Sequence, residues 1–338
     1  MHLSYRTATL PLGAPFRISR STDVEVELVW VEISSNGATG YGEATPQEHY
    51  GESVSSTCAL LDRAAELLGD DPFALEEIEG RLAETPGEAA AKAALDAALH
   101  DLCGKLCGQP VWRLLGVPHA SPPTSYTIWL GDPDDMAHRT ALAVAAKRFR
   151  RLKLKLGAGD GLEVERVRAV RGVTDLPLQV DVNEYWTLDE ALDAIPQLAA
   201  LGVEYVEQPL PAGDPGGEVL KEQSPLPIYL DEDCHTLPHI RACAERAHGV
   251  NIKLAKSGGL REAIRMVHAA RALGLGVMIG CMVETCLGIA PACPVASLCD
   301  HVDLDGNLLL AEDPWEGVQL VDGVQLPSDR PGLGVTRR

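Results

Sequence analysis

Several things are scarce in this chain. Aromatic side chains are only 4% of its 338 residues, so any large core has to be mainly aliphatic. Positive charge is also short. Lys and Arg number 29 against 49 Asp and Glu, a formal charge of −20, which excludes the broad basic face that nucleic acid requires. The one basic run, Arg148 to Lys155, does not supply such a face, because Arg151, Lys153 and Lys155 alternate on what reads as a strand and would point into the structure. No apolar run reaches membrane-spanning length, and Met1 to Leu12 is polar and strand-like rather than secretory. Paired Cys-x-x-Cys spacing is missing among the nine cysteines. The four between Cys281 and Cys299 sit in an apolar, small-residue stretch and read as buried thiols, not a zinc site. The expected setting is a reducing cytoplasm, with a small molecule or metal cation as partner and neither nucleic acid nor membrane. Whether the chain forms a homo-oligomer is not decided.

What is present is abundant glycine and proline, 32 and 23 residues, which suits a globular protein with many tight connections. The first third reads as α+β: strands at Met1–Leu10, Val24–Ser34 and Gly37–Glu43, then helices at Glu52–Leu68, Pro72–Glu84 and the alanine-rich Glu88–Leu106. The segments Gly13–Asp23 and Pro46–Glu52 are expected to be loops able to close over a neighbouring site. A boundary falls in the Gly- and Pro-rich stretch Gly116–Pro123. From Ser125 onward short β-branched runs alternate with amphipathic helices. Strands are expected at Tyr126–Leu130, Arg151–Leu156, Leu178–Asn183, Val203–Gln208, Ile228–Asp233, Val250–Leu254, Val277–Met282 and His301–Leu304. Eight strands separated by helices, such as Leu188–Leu201 and Leu260–Leu273, are the signature of a parallel α/β barrel. The competing doubly wound sheet has no Gly-x-Gly-x-x-Gly after any strand to support it. The expected organisation is an α+β domain over 1–118, a barrel over 119–315, and a tail, 316–338, returning to the first domain.

Active sites of such barrels lie at the C-terminal strand ends. Polar residues recur there. From Lys155 to Asp181, Glu207, Asp231 and Lys253 the intervals are 26, 26, 24 and 22 residues, each about one βα unit. Asp181, Glu207 and Asp231 on adjacent strands would repel one another unless a cation joined them, and an all-oxygen set favours Mg²⁺. Lys153 and Lys155, two apart on a strand, face the same way. Like charge and partial burial are expected to lower their pKa values toward those of general bases. Lys253 stands beyond the acids, so amines would flank the cation on both sides. Lys256 competes with Lys253 for that place.

Taken together, Lys153-Leu-Lys155, Asp181-Val-Asn183, Glu207-Gln-Pro209, Asp231-Glu-Asp233 and the stretch Lys253–Gly259 (KLAKSGG) resemble the muconate-lactonizing subgroup of the enolase superfamily over nearly the whole chain. The resemblance implies a modified (β/α)7β TIM-type barrel with an α+β capping domain. It also implies one Mg²⁺ per subunit on Asp181, Glu207 and Asp231, and Lys155 and Lys253 as bases with Lys153 in support. Within that subgroup the chain is most similar to dipeptide epimerases, through Asp303-Leu-Asp305 at the last strand and Cys281-Met-Val-Glu284-Thr285 on the seventh. Acids at i and i+2 share one strand face, so Asp303 and Asp305 could clamp the ammonium of a dipeptide. Glu284 and Thr127 are further candidates for substrate contact, and Arg20 could pair with an anionic substrate side chain. The expected reaction inverts the α-carbon of the C-terminal residue by two-lysine proton transfer through an enediolate. N-acylamino acid racemase, o-succinylbenzoate synthase and muconate-type cycloisomerase activities share the metal and lysine set and remain alternatives, and a noncatalytic binding protein on the same fold is a remote one.

Overall fold

In the computed structural model, which describes residues 1–338, alternation in the first third builds an antiparallel sheet of β1 (His2–Arg17), β2 (Thr22–Ser35) and β3 (Ala38–Ala44) in that order. Asn36 and Gly37, with φ of 51° and 79°, form the two-residue turn between β2 and β3. Three helices follow, α1 (Val54–Leu67), α2 (Leu75–Ala83) and α3 (Ala89–Cys107). The alanines of α3 serve close approach. A Cβ on Gly40 or Gly42 of β3 would overlap the carbonyl oxygens of Ala98 and Ala94, so helix and strand touch backbone to backbone. Val29, Val31 and Ile33 of β2 fill the rest of this small core with Leu60, Leu61 and Leu95.

The expectation of a loop over Gly13–Asp23 is overturned. Phe16 pairs with Asp23 and Arg17 with Thr22, so β1 and β2 continue as a two-stranded ribbon, and only Ile18–Ser21 turns, with Ile18 N bonded to Ser21 O at 3.0 Å. Pro11 and Gly13 mark a register shift rather than an end. The ribbon bends there because Gly13 N donates to Leu309 O and Leu12 bridges Leu310. In the other segment, Glu48–Tyr50 forms one 3₁₀ turn ended by Gly51 at φ 75°.

The barrel strands are β4 (Tyr126–Ile128), β5 (Leu152–Lys155), β6 (Leu178–Asp181), β7 (Val203–Glu207), β8 (Ile228–Leu230), β9 (Gly249–Lys253), β10 (Gly276–Gly280) and β11 (His301–Asp303). They lie in sequence order and are parallel throughout. Helices fill all seven connections, and a 3₁₀ turn, Gly306–Leu308, follows the last strand, as (β/α)7β requires. The ring is nearly closed by the Thr124–Val302 bridge and the bond from Ser125 N to Val302 O at 2.9 Å. Several strands are shorter than the sequence suggests. β8 stops at Leu230, which leaves Asp231–Asp233 in the connection, where their side chains have more freedom to converge.

After the barrel come β12 (Trp315–Glu316), β13 (Gln319–Val321), β14 (Val324–Leu326) and β15 (Thr336–Arg337). Trp315 packs edge-on against Trp30 at 5.7 Å, and Leu333 N donates to Asp101 of α3 at 2.7 Å, so this segment lies against the first sheet and helix. The β13–β14 hairpin touches the barrel instead, through Gly323 O and Gln325.

Candidate active site

Along each barrel strand the interior positions are two residues apart, and their chemistry changes from one level to the next. At the N-terminal level stand Tyr205, Tyr229 and His301, with ring centroids 4.4 to 5.3 Å apart. One step up the same strands come Glu207, Asp231 and Asp303, joined by Lys153, Lys155, Asp181 and Lys253. All seven of these upper residues are buried.

Lys153 is at the centre. Its ammonium lies 2.7 Å from Asp303 Oδ2, 2.9 Å from Asp181 Oδ2 and 2.8 Å from Glu207 Oε2. Lys155 Nζ reaches Asp181 Oδ2 at 2.7 Å and Asn183 Oδ1 at 3.1 Å. On the far wall Lys253 Nζ lies 2.8 Å from Asp231 Oδ2, while Lys256 is held by the Asp231 carboxylate and by two backbone carbonyls. Because β5 and β9 are four places apart in an eight-strand ring, Lys155 and Lys253 come from opposite sides. Lys256 is engaged in holding Asp231.

The expectation that Lys153 is shifted downward is corrected here. Burial does oppose the charge on Lys153, but Asp181, Asp303 and Glu207 outweigh it and hold the ammonium well above its usual range. The same contest, with Asp231 as the main partner, raises Lys253. The acids divide. Burial would raise Asp181 and Asp231, yet the adjoining lysines pull both below the usual carboxylate range. Burial and Asp181 push Glu207 up to about 8, and Asn251 Nδ2 donates to its Oε1 at 2.8 Å. Asp181 and Asp231 thus stay ionised beside their lysines, while burial opposes ionisation of Glu207.

The oxygen donors of this wall test the fit to a cation. No three acids close on one point, since the Lys153 ammonium stands among them. Even so, the set is all oxygen: Glu232 Oε2 is buried without a donor, and Glu207 Oε2 and Asp231 Oδ2 each meet only a lysine ammonium. Hard divalent cations take such donors, so Asp181, Glu207 and Asp231 suit Mg²⁺.

The remaining expected residues are placed as follows. Asp303 keeps one buried oxygen, Oδ1, without a partner. Asp305 sits just past β11 and accepts from the Thr127 backbone N at 2.6 Å, and burial with Asp303 pushes it up to about 7. Thr127 therefore faces the acid pair. Glu284 is raised to about 8 by burial and Glu43. Arg20, at the ribbon tip, reaches the mouth but is not free: it donates to Glu232 Oε1 at 2.8 Å and lies 3.6 Å from Glu184. Ser19 beside it donates to Asn183 O at 3.0 Å, and so docks the ribbon on the barrel.

Four residues went unassigned in the sequence. Asn183 and Asn251 share strand parity with Asp181 and Lys253, which was the available signal. Glu232, pushed up to about 7 by burial and Asp231, binds both Arg20 and Asn183. Tyr50 covers the Asp231–Lys253 wall and packs edge-on against His235 at 4.8 Å. Tyr50, Glu232, His235 and Lys256 also line the mouth side of an interdomain cavity of about 990 Å³, whose other wall includes Leu75, Ile78 and Leu82 of α2.

Two family models match the chain: mandelate racemase / muconate lactonizing enzyme, N-terminal domain, over residues 3–116, and enolase C-terminal domain-like over residues 135–338. An L-Ala-D/L-Glu epimerase of Bacteroides thetaiotaomicron is 40% identical over 323 residues, covering 94% of this chain and 82% of that protein. A hydrophobic dipeptide epimerase of a Flavobacteria bacterium is 36% identical, covering 99% of this chain and 97% of the relative. Among solved structures, a dipeptide epimerase from Enterococcus faecalis complexed with Mg and L-Leu-L-Tyr superposes with a TM-score of 0.94 at 30% identity, covering 99% of each chain.

Proposed function

The chain belongs to the mandelate racemase and muconate lactonizing enzyme family of the enolase superfamily, and on that premise we propose that it is a Mg²⁺-dependent dipeptide epimerase that inverts the α-carbon of the C-terminal residue. The observation that carries this reading is the opposition of Lys155 and Lys253 across the Asp181–Glu207–Asp231 wall, with the Asp303–Asp305 pair at the eighth strand.

Asp181, Glu207 and Asp231 would hold one Mg²⁺ per subunit. Bound there, it would supply positive charge beside the substrate carboxylate, which acidifies the α-C–H, and would offset the Asp231 charge that holds Lys253 protonated. Lys155 and Lys253 address opposite faces of the α-carbon. One takes the proton as an amine, the other returns one as an ammonium, and the roles exchange for the opposite configuration. Lys153 contributes fixed positive charge near the substrate carboxylate. Asp303 Oδ1, buried and lacking a partner, accepts from the dipeptide ammonium. Asp305, steadied by Thr127, completes that clamp, with Glu284 lining the wall next to it. Arg20 exchanges Glu232 and Glu184 for an anionic substrate side chain when one is present. Acylated amino acids and muconates carry no α-ammonium and would leave Asp303 Oδ1 without that donor, which weighs against the other activities of the family.

The test is incubation with Mg²⁺ and a dipeptide library in D₂O, with α-deuterium read by mass. Incorporation confined to dipeptides supports the assignment. No exchange with any dipeptide, together with turnover of an N-succinyl amino acid, would overturn it.

A further inference from the structure

Gln208 follows Glu207 directly and has no part in the mechanism above. It is fully buried, and its φ of 36° is a left-handed conformation that a non-glycine residue keeps only when its surroundings hold it there. Here they do. Gln208 N donates to Tyr229 O at 2.8 Å, and its carbonyl accepts from Glu184 N at 2.9 Å. The side-chain amide is fully used. Its Oε1 accepts from the backbone N of Asp231 at 2.8 Å, and its Nε2 donates to Leu210 O at 2.9 Å and to Asp233 Oδ2 at 2.8 Å. The partners admit only one orientation of the amide: an amide N–H and two acceptors cannot be exchanged. Asp233 is held in turn, its Oδ1 accepting from Gly213 N at 2.9 Å and from Arg246 on the outer helix His239–Arg246.

A continuous bracket therefore runs from Arg246 through Asp233 and Gln208 to the backbone of Asp231. Asp231 is the partner of Lys253 and Lys256. Lys155 depends on a different pair, Asp181 and Asn183, and the Gln208 side chain bonds to neither. We propose that Gln208 is a positioning residue that acts through Asp231 on Lys253 and spares Lys155, so that losing its amide handicaps one stereochemical direction of proton exchange more than the other. This rests on the two-lysine reading.

Gln208→Glu keeps the shape but sets a carboxylate against Asp233 and Leu210 O. The measurement is α-deuterium exchange from each configuration of one substrate dipeptide in D₂O, for Gln208→Glu beside Lys155→Ala and Lys253→Ala, with Mg²⁺ affinity by calorimetry. Exchange in the direction that Lys253→Ala abolishes should fall on the order of 10- to 100-fold, with a comparable loss of Mg²⁺ affinity. With Mg²⁺ raised to saturate each variant, the direction that Lys155→Ala abolishes should stay near wild type. Adding Asp233→Asn to Gln208→Glu places a donor amide opposite the new carboxylate and should restore part of the loss. Asp233→Asn alone breaks the same bond and should show the same asymmetry, which covers the case that Gln208→Glu does not fold. Equal loss in both directions with asymmetric lysine variants would overturn this proposal alone. Lysine variants that lose both directions alike would overturn the two-base reading instead. In either case an unchanged Mg²⁺ affinity in Gln208→Glu refutes the bracket.

Discussion

The two ends of the same barrel strands differ more than any two separate parts of the molecule. At the floor, Tyr205, Tyr229 and His301 pack together, with Tyr229 over Gly249 and Gly276, where an added Cβ would overlap its ring. One step further along those strands, the mouth holds Lys153, Lys155 and Lys253 among Asp181, Glu207, Asp231 and Asp303. The floor pairs most of its polar groups: Tyr205 donates to Gln179, whose Nε2 is left without an acceptor, and Arg151 donates to the neutral His301 ring at Nδ1, 3.2 Å away. The mouth leaves carboxylate oxygens open, since Asp303 Oδ1 and Glu232 Oε2 lack donors and Glu207 Oε2 and Asp231 Oδ2 meet only ammonium groups. One barrel thus separates stability from chemistry by a shift of two residues along each strand, and the unsatisfied end is the one able to receive a cation and a substrate.

The sharpest way to break this contrast is at the mouth. Lys155→Ala and Lys253→Ala should each lower epimerisation by more than about 10²-fold, with circular dichroism unchanged. A floor variant such as Tyr229→Phe that lowered kcat equally would dissolve the division. Next, removing Mg²⁺ with a chelator should abolish turnover, and readdition should restore it. Mg²⁺ at about 100 times its Kd should stabilise the fold by about 2.7 kcal/mol in a thermal melt, an increment that Asp181→Asn should lose.

At the floor the effect should be on stability alone. Gly249→Ala drives a methyl into the Tyr229 ring and is expected to cost about 1–3 kcal/mol by denaturant titration, with kcat retained by the folded fraction. The smallest effect concerns pH. Burial, reinforced by Arg151, lowers His301 to about 4 from an ordinary 6.5. Between those values the unfolded chain takes up a proton that the folded chain refuses. This contribution is therefore intact above pH 6.5 and is lost as pH falls toward 4. His301→Gln should flatten that part of the stability profile, and an unchanged profile would show that the histidine titrates normally.

Much of this was legible in the sequence because it is periodic and local. Eight apolar runs at βα intervals gave the barrel, and the i, i+2 spacing of Lys153 and Lys155 gave their shared direction. The ribbon was misread because Pro11 and Gly13 look like strand terminators; a bend against Leu309 and Leu310, nearly 300 residues away, keeps the strand going. The Lys153 shift was misjudged for a similar reason. The neighbours that decide it, Asp181 and then Asp303, are not neighbours in the chain.

The chain alone, then, determined which residue types stand at each strand end and that they share a face, since strand geometry repeats every two residues. Only the tertiary structure decided which ammonium meets which carboxylate, that Arg20 is held by Glu232, and that Gln208 braces Asp231. Those pairings depend on distance through space in a low-dielectric interior, and an ångström there outweighs any regularity of sequence spacing.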